Sequence, residues 1–212
     1  MKTQISVFDK IKYTTIIIFK IYILVFILFL ISELIDALVL SVDFSKIKSL
    51  NKKEENLDIY SILWLSIKVL IISPVSEEII FRKPIKGSKT SNVILIIVFT
   101  YSIISLIFTC DLNFYFLIFY SILVLAVNYL FNKKKVKLYS INLIITSVIF
   151  GLFHVNNFYL IDGAEWYIYA YKIFPMIILG FGLGMIRLKL NVIWSIVGHS
   201  LFNLFPFFLT IY

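Results

Sequence analysis

Two adjacent glutamates, an arginine, two histidines and an asparagine stand in stretches that are otherwise strongly apolar, and chemistry can be argued from them. Glu77 and Glu78 occur in Ser76-Glu77-Glu78-Ile79-Ile80-Phe81-Arg82. On a helix Glu78 and Arg82 are four apart and can pair, while Glu77 points about 100° away. One carboxylate can thus be held by the arginine while the other faces a cavity. His154 closes Phe150-Gly151-Leu152-Phe153-His154, and an imidazole there can orient water or exchange a proton near neutrality. His199 and Asn203 share one helical face in Gly198-His199-Ser200-Leu201-Phe202-Asn203 and can donate hydrogen bonds to a developing oxyanion. Aiming any of these groups at hydrocarbon is costly, so they face protein or water.

Each also has a plainer reading. Glu78 and Arg82 could be an interfacial charge pair with the arginine snorkelling; His154 could be a satisfied packing residue; His199 and Asn203 could make a structural hydrogen bond between helices. Asn156 and Asn157 read as an end cap or wet loop. What raises the chemical reading is joint occurrence: the chain has only two histidines, and both lie in apolar segments beside polar or glycine-marked motifs.

The elements that must carry these residues are membrane helices. The 212 residues are 61% hydrophobic and 15% charged, with a mean hydropathy of +0.99, against about half and about a quarter in soluble domains. Apolar runs are expected at about Tyr13–Leu40, Leu57–Phe81, Ser91–Thr109, Leu112–Phe131, Ser140–His154, Ile173–Ile186 and Val192–Phe208. The fifth could continue through Asn156–Ile161, and the sixth is short for a full span. The fold class is therefore an all-α polytopic membrane protein of about seven transmembrane helices, a single integral membrane domain over 1–212. No cleavage site follows the first run, which is expected to stay as an anchor.

Charge supports this layout. The formal net charge is +8, and with a cytoplasmic N-terminus thirteen of the twenty Lys and Arg fall inside, the positive-inside pattern. These are Lys2, Lys10, Lys12, Arg82, Lys83, Lys86, Lys89, Lys133, Lys134, Lys135, Lys137, Arg187 and Lys189. The basic excess reads as topology and membrane-lipid contact, with no nucleic-acid partner, and seven crossings put the C-terminus outside the cytoplasm. A lone Cys110 excludes an intrachain disulfide and reads as packing. Gly180, Gly182 and Gly184 can let helices approach closely.

In order along the chain, the Glu-Glu-x-x-x-Arg, Phe-x-x-x-His and His-x-x-x-Asn motifs stand at Glu77–Arg82, Phe150–His154 and His199–Asn203. Together they resemble the CAAX protease and bacteriocin-processing family of intramembrane proteases, also called Abi or Rce1-like, over roughly residues 67–208, which would be a CAAX-protease-like helical catalytic core. The resemblance implies that Glu77 activates the attacking water with help from His154, that His199 and Asn203 stabilise the oxyanion, and that Glu78 and Arg82 support the site. The family has also been described as metalloproteases. A metal-free site is favoured; if zinc is bound, Glu77, His154 and His199 have suitable donors.

The implied function is intramembrane hydrolysis of a membrane-associated peptide or protein, in a setting such as bacteriocin self-immunity or peptide maturation. Two other classes stay open: a noncatalytic membrane peptide-binding or immunity protein, and a proton-coupled transporter. Nothing in the sequence assigns an oligomeric state. One departure bears on geometry: 77 positions separate Glu77 from His154, room for an extra hairpin over Ser91–Phe131. At about 1.5 Å per residue His154 lies about 20 Å above Ser140, and Glu77 only about 7 Å above Arg82. A tilted or later-starting fifth helix is expected to be needed to bring them together.

Overall fold

A computed structural model describes residues 5–35, 47–49, 59–109, 112–131, 135–154, 158–160 and 166–211. Most of them are helical. Helix α1 covers Val7–Ile35, α2 Ile59–Ile67, α3 Ser73–Glu77, α4 Lys89–Thr109, α5 Leu112–Phe131, α6 Lys135–Phe153, α7 Trp166–Lys189 and α8 Val192–Ile211. Capping residues in the sequence start several of these. Ser6 Oγ accepts the Asp9 N–H at 3.1 Å ahead of α1, Ser88 Oγ the Ser91 N–H at 3.2 Å at α4, and Asn191 Oδ1 the Trp194 N–H at 3.2 Å at α8. Each satisfies a donor that the first helical turn leaves unpaired.

The surface and the interior are arranged as lipid requires. Phe19, Phe26, Ile97, Ile107, Phe108 and Tyr129 are exposed, a density of outward apolar bulk that a water-facing protein avoids. Hydroxyls inside the helices bond back to the carbonyl one turn earlier, as in Ser102 to Val98, Ser121 to Leu117 and Ser147 to Leu143, which meets their need for a partner without water. Among the described residues three helices are long and apolar enough to cross a membrane: Val7–Leu28, Lys89–Thr109 and Asn113–Phe131. Leu138–Phe153 and Val192–Leu204 are shorter apolar helices. Of the about seven spans expected, three therefore meet that test among the described residues, within an all-α arrangement.

The segments also differ in detail from the runs read in sequence. Within the second run α2 passes into a π turn at Lys68–Ile72, then α3, a second π turn at Glu78–Arg82 and a 3-10 turn at Lys83–Lys86. The helix of the sixth run extends beyond Ile173–Ile186, since α7 is 24 residues long, but it is not among the three long apolar spans. A continuation of the fifth helix through 156–161 is replaced at Phe158–Leu160 by a strand, β2, which pairs antiparallel with β1 at Ile47–Ser49, with Lys48 opposite Tyr159. The three-residue β1 lies in the charged stretch between the first and second apolar runs. Cys110, Asn156 and Asn157 lie outside the described residues, as does the 36–40 end of the first run.

The helices pack as α6 along α7, α4 along α5, α5 on α6, and α1 against both α7 and α8. The core includes Phe81, Leu95, Tyr120, Phe150, Leu179 and Leu183, and it encloses the broken helix from several sides.

Candidate active site

Proline explains the irregular helix over 59–86. Pro74 has no N–H for the carbonyl one turn earlier, and the ring crowds it. The backbone loosens, and the Ser73 N–H bonds to the Lys68 carbonyl five residues back. The same spacing recurs below, where the Lys83 N–H bonds to the Glu78 carbonyl. Such π turns add a residue to a helical turn and re-aim the side chains around them. The chain then reverses at Gly87, whose φ of 58° is left-handed and whose Cβ would lie 2.8 Å from Leu138 and 2.9 Å from the Asn128 side chain, so only glycine fits there.

This local geometry sends the two glutamates to different partners. Glu78 is fully buried, with Oε2 at 3.6 Å from Arg82 Nε and hydrogen-bonded by the Ser195 hydroxyl, and Oε1 at 3.1 Å from His199 Nδ1. Arg82 is equally buried. Its Nη1 reaches the Thr146 carbonyl at 3.5 Å, and its guanidinium carbon lies 4.5 Å from the centre of the Phe150 ring, a cation–π contact in a dry setting. Gly180 leaves the room, since a Cβ there would stand 3.2 Å from Arg82 Nη2. Arg82 is therefore not a snorkelling surface residue, and it leaves the set of cytoplasmic cations expected from sequence.

Glu77 takes the other direction. Its Oε1 accepts a hydrogen bond from the Ser73 hydroxyl one turn earlier. Its Oε2 faces His154 Nε2 at 3.6 Å and His199 Nε2 at 3.8 Å and accepts no hydrogen bond from the described residues. That separation is too long for a direct hydrogen bond. The Glu77 and His154 side chains are each 14% exposed, whereas Glu78 and Arg82 are sealed, so the acid pair divides into a partly exposed and a fully buried member, with Glu77 Oε2 itself buried.

The tautomers follow from the partners. His154 Nδ1 lies 2.7 Å from the Phe150 carbonyl. A carbonyl can only accept, so Nδ1 carries the proton and the neutral ring presents a bare Nε2 toward Glu77. His199 Nδ1 likewise donates to Glu78, leaving Nε2 to accept when the ring is neutral and to donate when it is charged. Phe150 organises both rings. Its own ring is 4.7 Å from that of His154 and 5.7 Å, edge-on, from that of His199.

The structure brings Glu77, Glu78, Arg82, His154 and His199 together. Asn203 is placed beside them on α8 with its amide committed elsewhere: Nδ2 donates to the Val69 carbonyl at 3.0 Å, inside the first π turn. A later start of α6 does not account for the meeting, since α6 begins at Lys135, before Ser140. On the other side the acid-bearing helix does not stop at Arg82. Residues 83–86 carry it further down as a 3-10 turn with Pro84 and Ile85 buried, adding about 8 Å at about 2 Å per residue. Arg82 is thus level with Thr146, well inside.

Ser73 and Ser195 are the polar partners that sequence reasoning missed. The signal was spacing. Ser73 precedes Glu77 by four, and Ser195, His199 and Asn203 stand at successive intervals of four, one stripe along α8.

Zinc needs a set of donors converging on one point. Among the described residues no three His, Cys, Asp or Glu side chains form a metal-ligand group, and Glu77, His154 and His199 do not make one as they stand.

No curated protein and no solved structure matches the chain. A family model described as type II CAAX prenyl endopeptidase Rce1-like matches residues 59–205, which takes in both π turns and every residue of the cluster. The chain belongs to the CAAX-protease-like, Rce1-like family.

Proposed function

We propose that the protein is an intramembrane endopeptidase that hydrolyses a membrane-associated peptide or protein with a water activated by Glu77. The carrying observation is the approach of Glu77 Oε2 to two imidazole Nε2 atoms, 3.6 and 3.8 Å away, while the Nδ1 positions are committed to Phe150 and Glu78. A water among these three atoms donates one proton to Glu77 and directs its other hydrogen toward the bare His154 Nε2. Glu77 takes the proton as the oxygen attacks the scissile carbonyl. His199, donating from Nε2 when its ring is protonated, and the second amide proton of Asn203 stabilise the oxyanion. The protonated Glu77 then delivers its proton to the departing amine, which closes the cycle. Glu78 and Arg82 hold His199 and the helix in place. Ser73 fixes the other Glu77 oxygen, so that Oε2 is the one left to react.

The chain is read as about seven crossings with a cytoplasmic N-terminus and an extracytoplasmic C-terminus, acting in bacteriocin self-immunity or peptide maturation. The decisive experiment uses purified protein in lipid with a membrane-anchored peptide. Wild type is expected to cleave it, and Glu77→Gln to fall to background with an unchanged melting point. Undiminished cleavage by folded Glu77→Gln overturns the assignment. Tight peptide binding without cleavage by wild type would favour a noncatalytic immunity protein, and proton-dependent uptake into vesicles a transporter.

A further inference from the structure

Pro84 has no N–H to offer the Ile80 carbonyl one turn before it, and that carbonyl lies within the π turn Glu78–Arg82. Tyr120, from α5, supplies the missing donor. Its hydroxyl donates to the Ile80 carbonyl at 2.9 Å and lies 3.5 Å from the Phe81 carbonyl. Its ring is fully buried and tilted against Phe81, centroids 5.2 Å apart. A phenylalanine would pack there as well, so the buried hydroxyl is accounted for by the carbonyl it meets.

A second grip lies two turns along the same helix. Asn128 Nδ2 donates to Asn92 Oδ1 at 2.8 Å, and Asn128 Oδ1 accepts from Asn142 Nδ2 at 2.8 Å. Asn142 Nδ2 also reaches the Ile85 carbonyl at 3.3 Å. The α4–α5 hairpin therefore reaches the acid-bearing helix directly at Ile80 and, through asparagines, at Ile85.

We propose that Tyr120 is a positioning residue for the acid pair. By occupying the Ile80 carbonyl it holds the π turn open, and that turn sets the angle at which Glu77 faces the imidazoles while Glu78 faces Arg82 and Ser195. Without the hydroxyl the buried Ile80 carbonyl is left with no donor, because the residue four on is Pro84, and the turn shifts to find one, which moves both glutamates relative to Phe150 and the histidines. The proposal rests on the hydrolytic reading for its effect on turnover, though its effect on geometry does not need it.

Tyr120→Phe keeps the ring and deletes the donor, and Tyr115→Phe, at a residue 52% exposed on the same helix, is the control. The full chain without a tag holds two histidines, so selective ¹⁵N-histidine labelling reports His154 and His199 alone. In Tyr120→Phe both imidazole signals are expected to move. The value of kcat should fall about ten- to a hundredfold, with KM within about twofold of wild type. Tyr115→Phe should match wild type in both. Unmoved imidazole signals in Tyr120→Phe overturn the proposal whatever happens to turnover or melting, as does a matching loss in Tyr115→Phe. If wild type cleaves nothing, the hydrolytic reading fails while the imidazole signals still decide the positioning role.

Discussion

At the scale of single residues the site is a lesson in how burial assigns different work to like groups. Glu77 and Glu78 are chemically the same, yet one is sealed between Arg82, Ser195 and His199 and the other is partly exposed and faces two imidazoles. The sealed pair is expected to be costly to halve. Removing one partner of a buried ion pair leaves an uncompensated charge and destabilises by about 3–5 kcal/mol. Arg82→Met should therefore lower the melting point sharply, while Glu78→Gln/Arg82→Met, with both charges gone, should recover much of that stability and none of the peptide cleavage. A double variant as unstable as Arg82→Met would show that the charges are not each other's main partners. Ser73→Ala tests the open member. It removes the hydroxyl that fixes Glu77 Oε1 and should lower turnover by about tenfold or more, with little change in melting. Full activity in that variant would assign Ser73 no part in orienting the carboxylate.

Among elements, the close approach of α6 and α7 depends on which face each glycine occupies. Gly180 and Gly184 face α6, where a Cβ would stand 3.1 Å from the Ser147 backbone and 2.2 Å from Leu143 Cδ1. Gly182 faces α1, where a Cβ would meet Ile21 Cδ1 at 2.3 Å. The two glycines four apart thus share one contact with α6, and Gly182 makes a separate one with α1. Gly180→Val must push apart backbones and also crowd Arg82, so it is expected to cost about 1–3 kcal/mol and to reduce turnover in the molecules that remain folded. Gly182→Val should lower the melting point and leave turnover per folded molecule near that of wild type. Thermal melting in detergent with active-fraction titration distinguishes them, and equal turnover losses would contradict this division of faces.

For the whole molecule the issue is how polar chemistry is kept inside an apolar shell. The broken helix over 59–86 has its freed carbonyls met from three directions: Val69 by Asn203 on α8, Ile80 by Tyr120 on α5, and Arg82 by Arg187 Nε on α7 at 3.4 Å. An irregular backbone survives at membrane depth only when protein satisfies it in this way. The proposed topology makes a prediction at this scale. In a Cys110→Ser background, Ser6→Cys in intact cells should react with a membrane-permeant thiol reagent but not with an impermeant one, while a reporter fused after residue 212 should be extracytoplasmic. Both ends on one side of the membrane would rule out an odd number of crossings.

By itself the sequence determined the solvent and the cast of residues. Long apolar runs broken by basic turns specify a lipid-embedded helical protein, because no water-exposed fold offsets so much outward apolar surface. Period-four spacing exposed Glu78 with Arg82 and His199 with Asn203, since such neighbours share a helical face whatever the tertiary arrangement. What the tertiary structure decided was everything that depends on register between distant segments. Prolines at 74 and 84 mark breaks, but a missing N–H says nothing of which side chain will meet the abandoned carbonyl, and hence nothing of the π turns that separate Glu77 from Glu78. The depth of Arg82 beside Thr146, the strand pairing of 47–49 with 158–160, and the hold of Tyr120 on Ile80 are all contacts between residues far apart in the chain. Local periodicity carries no information about them, because they are fixed only when separate helices compete to satisfy the same polar groups in a medium that offers no other partner.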